Sequence, residues 1–190
     1  PRAFHAVCAI PEKSAILIHG GINNGEVLSD CILLDINTGA VTPIQLSQKL
    51  AFSHHTITAI GENKVYLFGG IDENGHLNSK LYSIRIDGGA VEEVSNSSDT
   101  LPTAARCSHH AFSFFNFLCV ASGFQSGDKL HNCALYDFSH NVWLEIPFCD
   151  YMKNAWFIHS NPKGFCIFDS NAKAYQEIYF NQNMQPLVDI

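Results

Sequence analysis

Positive charge is scarce in this sequence: 11 lysines and arginines stand against 18 aspartates and glutamates, for a formal charge of −7 over 190 residues. A surface so poor in cations is unsuited to neutralising a run of phosphates or docking on an anionic leaflet, so neither nucleic acid nor a membrane is expected as a direct partner. Long apolar runs are missing as well. No stretch reaches the roughly 18 consecutive apolar residues of a membrane-spanning helix. Paired cysteine spacing is also absent. Cys8, Cys31, Cys107, Cys119, Cys133, Cys149 and Cys166 are odd in number, form no C-x-x-C, and mostly sit inside apolar runs such as FLCVAS and GFCIFD. They read as buried free thiols in a reducing compartment, and the expected location is the cytoplasm. The sequence has neither an initiator Met nor a basic-then-apolar leader, and it enters a strand pattern at once, so it reads as a piece of a longer chain. Asn96-Ser97-Ser98 matches a glycosylation acceptor, a short match that means little without a leader.

Signatures of catalysis are lacking too. There is no G-x-x-x-x-G-K-[ST], no G-x-G-x-x-G after a strand, no G-x-S-x-G and no H-E-x-x-H. No catalytic residue, metal ligand or cofactor is therefore assigned. What is plentiful is apolar and aromatic material: 46% of the residues are apolar and 12% are Phe, Tyr or Trp, against 15% charged. That balance favours a β-rich core over disorder.

The chain repeats itself. Aligned on a double glycine, RAFHAVCAIPEKSAILIHGG (2–21) lies over AFSHHTITAIGENKVYLFGG (51–70) at a constant offset of 49, placing His5 on His54 and Gly21 on Gly70. A third copy, RCSHHAFSFFNFLCVASG (106–123), puts His109 in the same place; its turn is two residues shorter, and Ser122-Gly123 stands for the glycine pair. Downstream, CILLDINTGAV, LYSIRIDGGAV and CALYDFSHNVW superpose without a gap. A partial fourth copy, GFCIFDSNAKAY (164–175), lacks the double glycine. Each full copy holds four short alternating segments, in the first HAVCAI, SAILIHG, CILLDI and AVTPIQL, joined by Gly, Asn and Asp. Antiparallel strands and little helix follow from that pattern.

Three features together resemble the kelch repeat family: Arg2-x-x-His5 and Arg106-x-x-His109 opening a repeat, strands ending in Gly20-Gly21 and Gly69-Gly70, and an aspartate six residues before an aromatic, as in Asp137 and Trp143. Ala51 in place of the opening Arg, Ser122 in place of a glycine, and Val41, Val91 and Tyr175 in place of Trp depart from the pattern. The resemblance implies an all-β, kelch-type β-propeller of four-stranded antiparallel sheets. About four blades form a partial ring, near 1–46, 51–95 and 106–148 with a degenerate 154–180, all within one region 1–190. The fourth would be a terminal blade completed by a strand from the other end of a longer chain. In such a scaffold the glycine pairs are architectural, because glycine alone tolerates close backbone approach and positive φ. The repeated histidines then belong between blades rather than on a metal. Asp35 and Asp137 hold a turn or pair with a neighbouring Arg rather than act as acids.

Function is expected on loops, since the strands are committed to stacking. The loops after the glycines supply Asn24, Glu26, Asp72, Glu73, His76, Gln125, Asp128, Lys129 and His131 as candidate contacts, and the linkers 47–53 and 95–105 join them. By resemblance these loops bind a protein or peptide at one mouth of the propeller, as in a scaffold or substrate adaptor, while the blades contact upstream blades or domains of the same chain. The alternative is the C-terminal propeller of a tRNA wybutosine-synthesising leucine carboxyl methyltransferase-like enzyme whose catalytic domain lies upstream.

Overall fold

The computed structural model describes residues 1–94, 105–146, 155–161, 164–169, 173–180 and 186–188. Its strands are β1 (Ala6–Ile10), β2 (Ala15–His19), β3 (Ile22–Asn23), β4 (Glu26–Val27), β5 (Cys31–Asp35), β6 (Val41–Ile44), β7 (Thr56–Ala59), β8 (Lys64–Phe68), β9 (Leu81–Arg85), β10 (Val91–Glu93), β11 (His110–Phe114), β12 (Phe117–Ala121), β13 (Phe124–Gln125), β14 (Asp128–Lys129), β15 (Cys133–Asp137), β16 (Val142–Ile146), β17 (Ala155–Asn161), β18 (Gly164–Asp169), β19 (Ala174–Phe180) and β20 (Pro186–Val188). They build four-stranded antiparallel sheets whose strands neighbour one another in chain order: β1-β2-β5-β6, β7-β8-β9-β10, β11-β12-β15-β16 and β17-β18-β19-β20. Among the described residues the only helical element is a single 3-10 turn, Pro11–Lys13, and no helix is long and apolar enough to cross a membrane.

Two compact units divide the chain. Pro1–Ser95, Ala104–His109 and Phe124–Gly127 form one, and His110–Gly123 with Asp128–Ile190 fall in the other. In the first unit the sheets of the first and second repeats face each other. Alternation places Ala6, Ile10, Leu17 and Cys31 on one face of the first sheet, where they meet Ile57, Val65, Leu67, Tyr82 and Ile84 of the second. Ile10, Leu17, Val65, Leu67 and Ile84 are fully buried. Each such aliphatic side chain contributes roughly 1.5–3 kcal/mol over exposure. In the second unit Trp143 is buried and meets Tyr136 edge-on, with ring centroids 5.3 Å apart.

The fourth sheet corrects one expectation. Its fourth strand is β20, pairing Ile178 with Val188 and Phe180 with Pro186, so residues of this chain's own C-terminal segment supply the fourth strand.

The structure also moves the register of the openings. Backbone bridges join Ala3 to Ile22, Ser53 to Ile71 and Cys107 to Phe124, which makes Ala3, Ser53 and Cys107 counterparts. His55, not His54, is therefore the equivalent of His5 and His109, and Phe52, not Ala51, stands where Arg2 and Arg106 stand. The cause lies in the first hairpin. The paired ends are Ala6–His19, Thr56–Phe68 and His110–Ala121, so the hairpin loses one residue at each successive repeat. Alignment on the glycines pushes that difference onto the histidines. His54 has a different duty: with Phe4 and Ser108 it adopts a left-handed backbone, φ 56°, 55° and 52° respectively. The His54 amide donates to the Phe4 carbonyl at 2.9 Å, and the Ser108 amide donates to the His54 carbonyl at 2.9 Å, a backbone ladder running from repeat to repeat.

The glycine pairs lie under those openings. Gly21 and Gly70 donate to the carbonyls of Phe52 and Arg106, at 2.9 and 2.8 Å, each belonging to the next opening. A Cβ on Gly70 (φ +93°) would lie 2.6 Å from His55 Cβ and 2.7 Å from the Ser53 carbonyl; one on Gly69 (φ +67°) would lie 2.6 Å from the Arg106 carbonyl. No side chain fits there without moving backbone. Gly20 takes φ +61° and Gly123 φ +99°, while Ser122 holds φ +61° with a side chain.

Candidate functional site

The loops that follow the glycines are shaped by local hydrogen bonds. In the second repeat Asp72 Oδ1 accepts the amides of Asn74 (2.9 Å) and His76 (2.8 Å), closing a tight turn. Burial opposes the charge on this carboxylate, yet the amides of His76 and Asn74 prevail and hold it below the ordinary aspartate range. His76 is exposed, its Nδ1 3.6 Å from Asp72 Oδ2. Glu73 forms an ion pair with Lys49 of the preceding linker. In the first repeat Asn24 takes a left-handed backbone (φ 49°) beside exposed Glu26.

Next to the Asp72 turn runs an open groove of about 510 Å³, lined among others by Ile71, His76, Leu77, Cys107, Phe124 and Gln125. Two backbone bonds between Cys107 and Phe124 (2.9 and 3.0 Å) fix one wall, and the Ser53–Ile71 pair (2.8 and 2.9 Å) positions Ile71. Phe124 remains 43% exposed, an aromatic ring open to solvent on an otherwise polar loop. The groove brings together Gln125 and His76 from the sequence-derived set; Asn24 and Glu26 do not line it. Asp128 and Lys129 lie exposed on β14 and His131 is half-buried, all three in the other unit. The linker residues 95–104 lie outside the described residues, as does Cys149.

The buried histidines are packing groups. His55 and His109 are 5% exposed, and His19 is fully buried. His19 Nδ1 lies 2.9 Å from His55 Nε2, so one ring donates to the other and both stay neutral. Burial, chiefly, brings the His19 pKa down to about 4; Arg2 adds to this, while Asp30 and the Leu50 backbone oppose it. His55 is pushed well below the ordinary range by burial and then by the neighbouring histidines. His109 Nε2 lies 2.8 Å from Thr56 Oγ1, and its ring meets Phe68 edge-on at 5.5 Å. His54 stacks on Phe4 with centroids 3.9 Å apart. Among the described residues no three His, Cys, Asp or Glu side chains are grouped to hold a metal ion.

Arg2 forks onto Asp30, Nη1 to Oδ1 at 2.7 Å and Nη2 to Oδ2 at 2.6 Å, and Nη1 also donates to the Gly20 carbonyl at 3.0 Å. In the second repeat, where Phe52 replaces the arginine, Asn78 Nδ2 donates to the Gly69 carbonyl at 3.2 Å and so holds the equivalent group. Arg106 is fully buried. Asp35 and Asp137 hold turns. Asp35 Oδ1 accepts the amides of Asn37 and Thr38 (2.9 and 2.8 Å), and Thr38 above all keeps its carboxyl below the usual range. Asp137 accepts the Ser139 amide at 2.7 Å and lies 2.7 Å from His140 Nδ1, the chief cause of its own lowered pKa.

Reading by repeats missed Asp30, Asn78, Ile71, Leu77, Cys107 and Phe124. An aromatic directly after Gly123, at the tip of a polar loop, was the available signal for the groove.

Comparison with known proteins agrees with this geometry. Residues 1–162 match the KLHDC2/KLHL20/DRC7 Kelch-repeats domain. Adagio protein 3 of Arabidopsis thaliana is 32% identical over 94 residues, 46% of this chain and 15% of that protein. F-box/kelch-repeat protein At1g51550 of the same plant is 41% identical over 76 residues, 37% of this chain and 16% of that protein. The flagellar outer arm dynein alpha chain of Chlamydomonas reinhardtii is 25% identical over 166 residues, 85% of this chain and 4% of its own length. The chain thus spans about a sixth or less of the length of these relatives. With a match over most of its residues and four-stranded antiparallel sheets in repeat order, the chain belongs to the KLHDC2/KLHL20/DRC7 kelch-repeat family.

Proposed function

We propose that this kelch-repeat chain is a non-catalytic binding module that takes a protein or peptide partner on the loops following its glycine pairs. Kelch domains typically serve as protein-interaction scaffolds, and the observation that carries the reading here is the groove beside the Asp72 turn. Ile71, Leu77 and Cys107 give it an apolar lining, backbone pairing fixes the Cys107–Phe124 wall, and Phe124 stands open at its side. A concave apolar surface with a solvent-facing aromatic and a few polar groups is the usual form of a peptide-recognition site. His76 and Gln125 supply polar contacts for the partner's backbone, and Asp72 keeps the turn in place. Glu26, Glu73, Asn24, Asp128, Lys129 and His131 belong to the same loops as further candidate contacts.

The module suits a reducing compartment such as the cytoplasm. Cys8, Cys31, Cys107, Cys119, Cys133 and Cys166 are free thiols, and burial pushes Cys8 and Cys31 up to about 12, which suppresses their reactivity. One experiment tests the site. A random peptide library is panned on the immobilised chain, and the selected peptides are measured against Phe124→Ala and Gln125→Ala. The expected result is a loss of about tenfold or more on Phe124→Ala, the scale of an anchor in a pocket. Equal binding to both variants and the parent would remove the groove from the proposal.

A further inference from the structure

Two thiols meet inside the third sheet. Cys119 on β12 is fully buried, Cys133 on β15 is 5% exposed, and their sulfurs lie 3.0 Å apart. In the β12–β15 ladder Cys119 pairs with Leu135 and Ala121 with Cys133, so the two cysteines are diagonal neighbours on one face of the sheet. Packing does not call for sulfur at this place. The same diagonal is Leu17 and Cys31 in the first sheet, where His19 pairs with Cys31, and Tyr66 and Leu81 in the second, where Phe68 pairs with Leu81. Of these three sheets only the third sets two sulfurs against each other.

The register sets the character of a bond between them. Diagonal Cα atoms of an antiparallel pair stand roughly 7–8 Å apart, beyond the roughly 4.4–6.8 Å that a relaxed disulfide spans. The sulfurs already touch, yet closing them to a bond draws β12 and β15 together against their own ladder. A disulfide held under such strain is readily reduced, which makes it a reversible tie and not a permanent staple. The cysteines are 14 positions apart, and the segment between them, 120–132, carries Phe124 and Gln125. At the foot of that segment the Ser122 amide donates to the Asn132 carbonyl at 3.1 Å and the Leu130 amide to the Gly123 carbonyl at 2.8 Å.

From this we infer that Cys119 and Cys133 form a reversible oxidation site, which reacts with hydrogen peroxide and closes to a cross-strand disulfide at the foot of the segment carrying Phe124. Cys133, the more exposed of the two, reacts first. Its sulfur, as thiolate, attacks one peroxide oxygen and the O–O bond breaks; a sulfenic acid forms, and the departing oxygen takes up the thiol's proton and leaves as water. The Cys119 sulfur then attacks the Cys133 sulfur. The S–O bond breaks, the S–S bond forms, and the hydroxyl leaves with the Cys119 proton as a second water. The two thiols lose two electrons, which reduce the peroxide. Two molecules of glutathione reverse the step by exchange through a mixed disulfide and are themselves oxidised to glutathione disulfide. Burial restricts access without preventing it, because peroxide is little larger than water and a brief local opening of the sheet admits it.

The test uses the intact, folded chain with its thiols reduced. It is treated with hydrogen peroxide for increasing times, its remaining thiols are blocked with a maleimide, and it is digested without reductant, trypsin cutting after Lys129 between the two cysteines. Mass spectrometry follows the linked peptides. The expected result is a Cys119–Cys133 link, two hydrogens lighter than the separate peptides, formed about tenfold or more faster than a link between any other two cysteines and lost on adding reduced glutathione. Cys119→Leu, with the residue that Leu17 supplies in the first sheet, abolishes the link and leaves a Cys133 sulfenic acid that dimedone traps. Should that variant fold poorly, the parent chain treated in denaturing urea serves instead, and there the tenfold preference disappears. Oxidation of the folded chain to sulfinic acids with no Cys119–Cys133 link would overturn the inference. So would a link that shows no preference over other pairs, or one that glutathione leaves intact.

Discussion

The first and second repeats of this chain solve one problem with two sets of residues. Both must hold the carbonyl of the first closing glycine and seat the opening of the next repeat. The first does it with an exposed ionic fork, Arg2 on Asp30 and Gly20, and closes on His19; the second uses a buried amide, Asn78 on Gly69, and closes on Phe68. What does not differ is the backbone. The second glycine of each donates to the next opening, and the left-handed residue of that next opening ties to the left-handed residue of the one before. The comparison teaches that the repeat is specified by main-chain geometry, with side chains free to change around it.

The largest expected effect tests that division. Gly70→Val places a branched side chain against His55 and the Ser53 carbonyl at φ +93°, and about 3 kcal/mol or more of stability is lost in urea unfolding. Gly75→Val has equally unfavourable φ (+82°) but open space around it, and costs about 1 kcal/mol. Equal losses at the two sites would show that backbone strain alone, without crowding, explains the glycines.

Next comes pH. His19 titrates near 4 in the folded chain and near 6.5 when unfolded, because burial disfavours its charge. The unfolded chain therefore binds more protons between those values, and stability that is complete above about pH 6.5 is lost as pH falls towards 4, on the order of 3 kcal/mol for this one group. His55 acts in the same direction. His19→Phe, which installs the second repeat's solution in the first, flattens this slope; an unchanged slope would mean that the buried pair is not its source.

Smaller effects separate the two ways of holding the glycine carbonyl. Asn78→Ala removes a buried amide with three hydrogen bonds, for about 1–2 kcal/mol that salt does not change. Arg2→Ala removes a fork whose side chains are 22% and 44% exposed, for about 1 kcal/mol that shrinks in high salt. Thermal melts at low and high ionic strength distinguish them. Glu73→Gln, at a pair where both partners are at least half exposed, shifts stability by no more than about 0.5 kcal/mol.

Strand order and sheet membership were legible because alternation and paired glycines leave marks at fixed spacing. The turn role of Asp35 was within reach for the same reason, since an aspartate before N-T-G has amides at hand. The register of the openings was not. His54-His55 offers two candidates, and only the pairing of Ala6 with His19 and of Thr56 with Phe68 exposes the extra residue in the first hairpin. Val188 could not be assigned to the fourth sheet because its segment carries no repeat mark. The groove was hidden for a different reason. Ile71 and Phe124 are far apart in sequence, and each reads as an isolated apolar residue in a loop until the Cys107–Phe124 and Ser53–Ile71 pairs place them along one cleft.

Amide hydrogen exchange at four positions tests the central claim most directly, since the claim concerns four backbone bonds. If each repeat is completed by the opening of the next, the amides of Gly21, His54, Gly70 and Ser108 exchange as slowly as those in the middle of β2 and β8. Exchange of Gly21 and His54 at the rate of the open turn around Gly25, with β2 still protected, would contradict it.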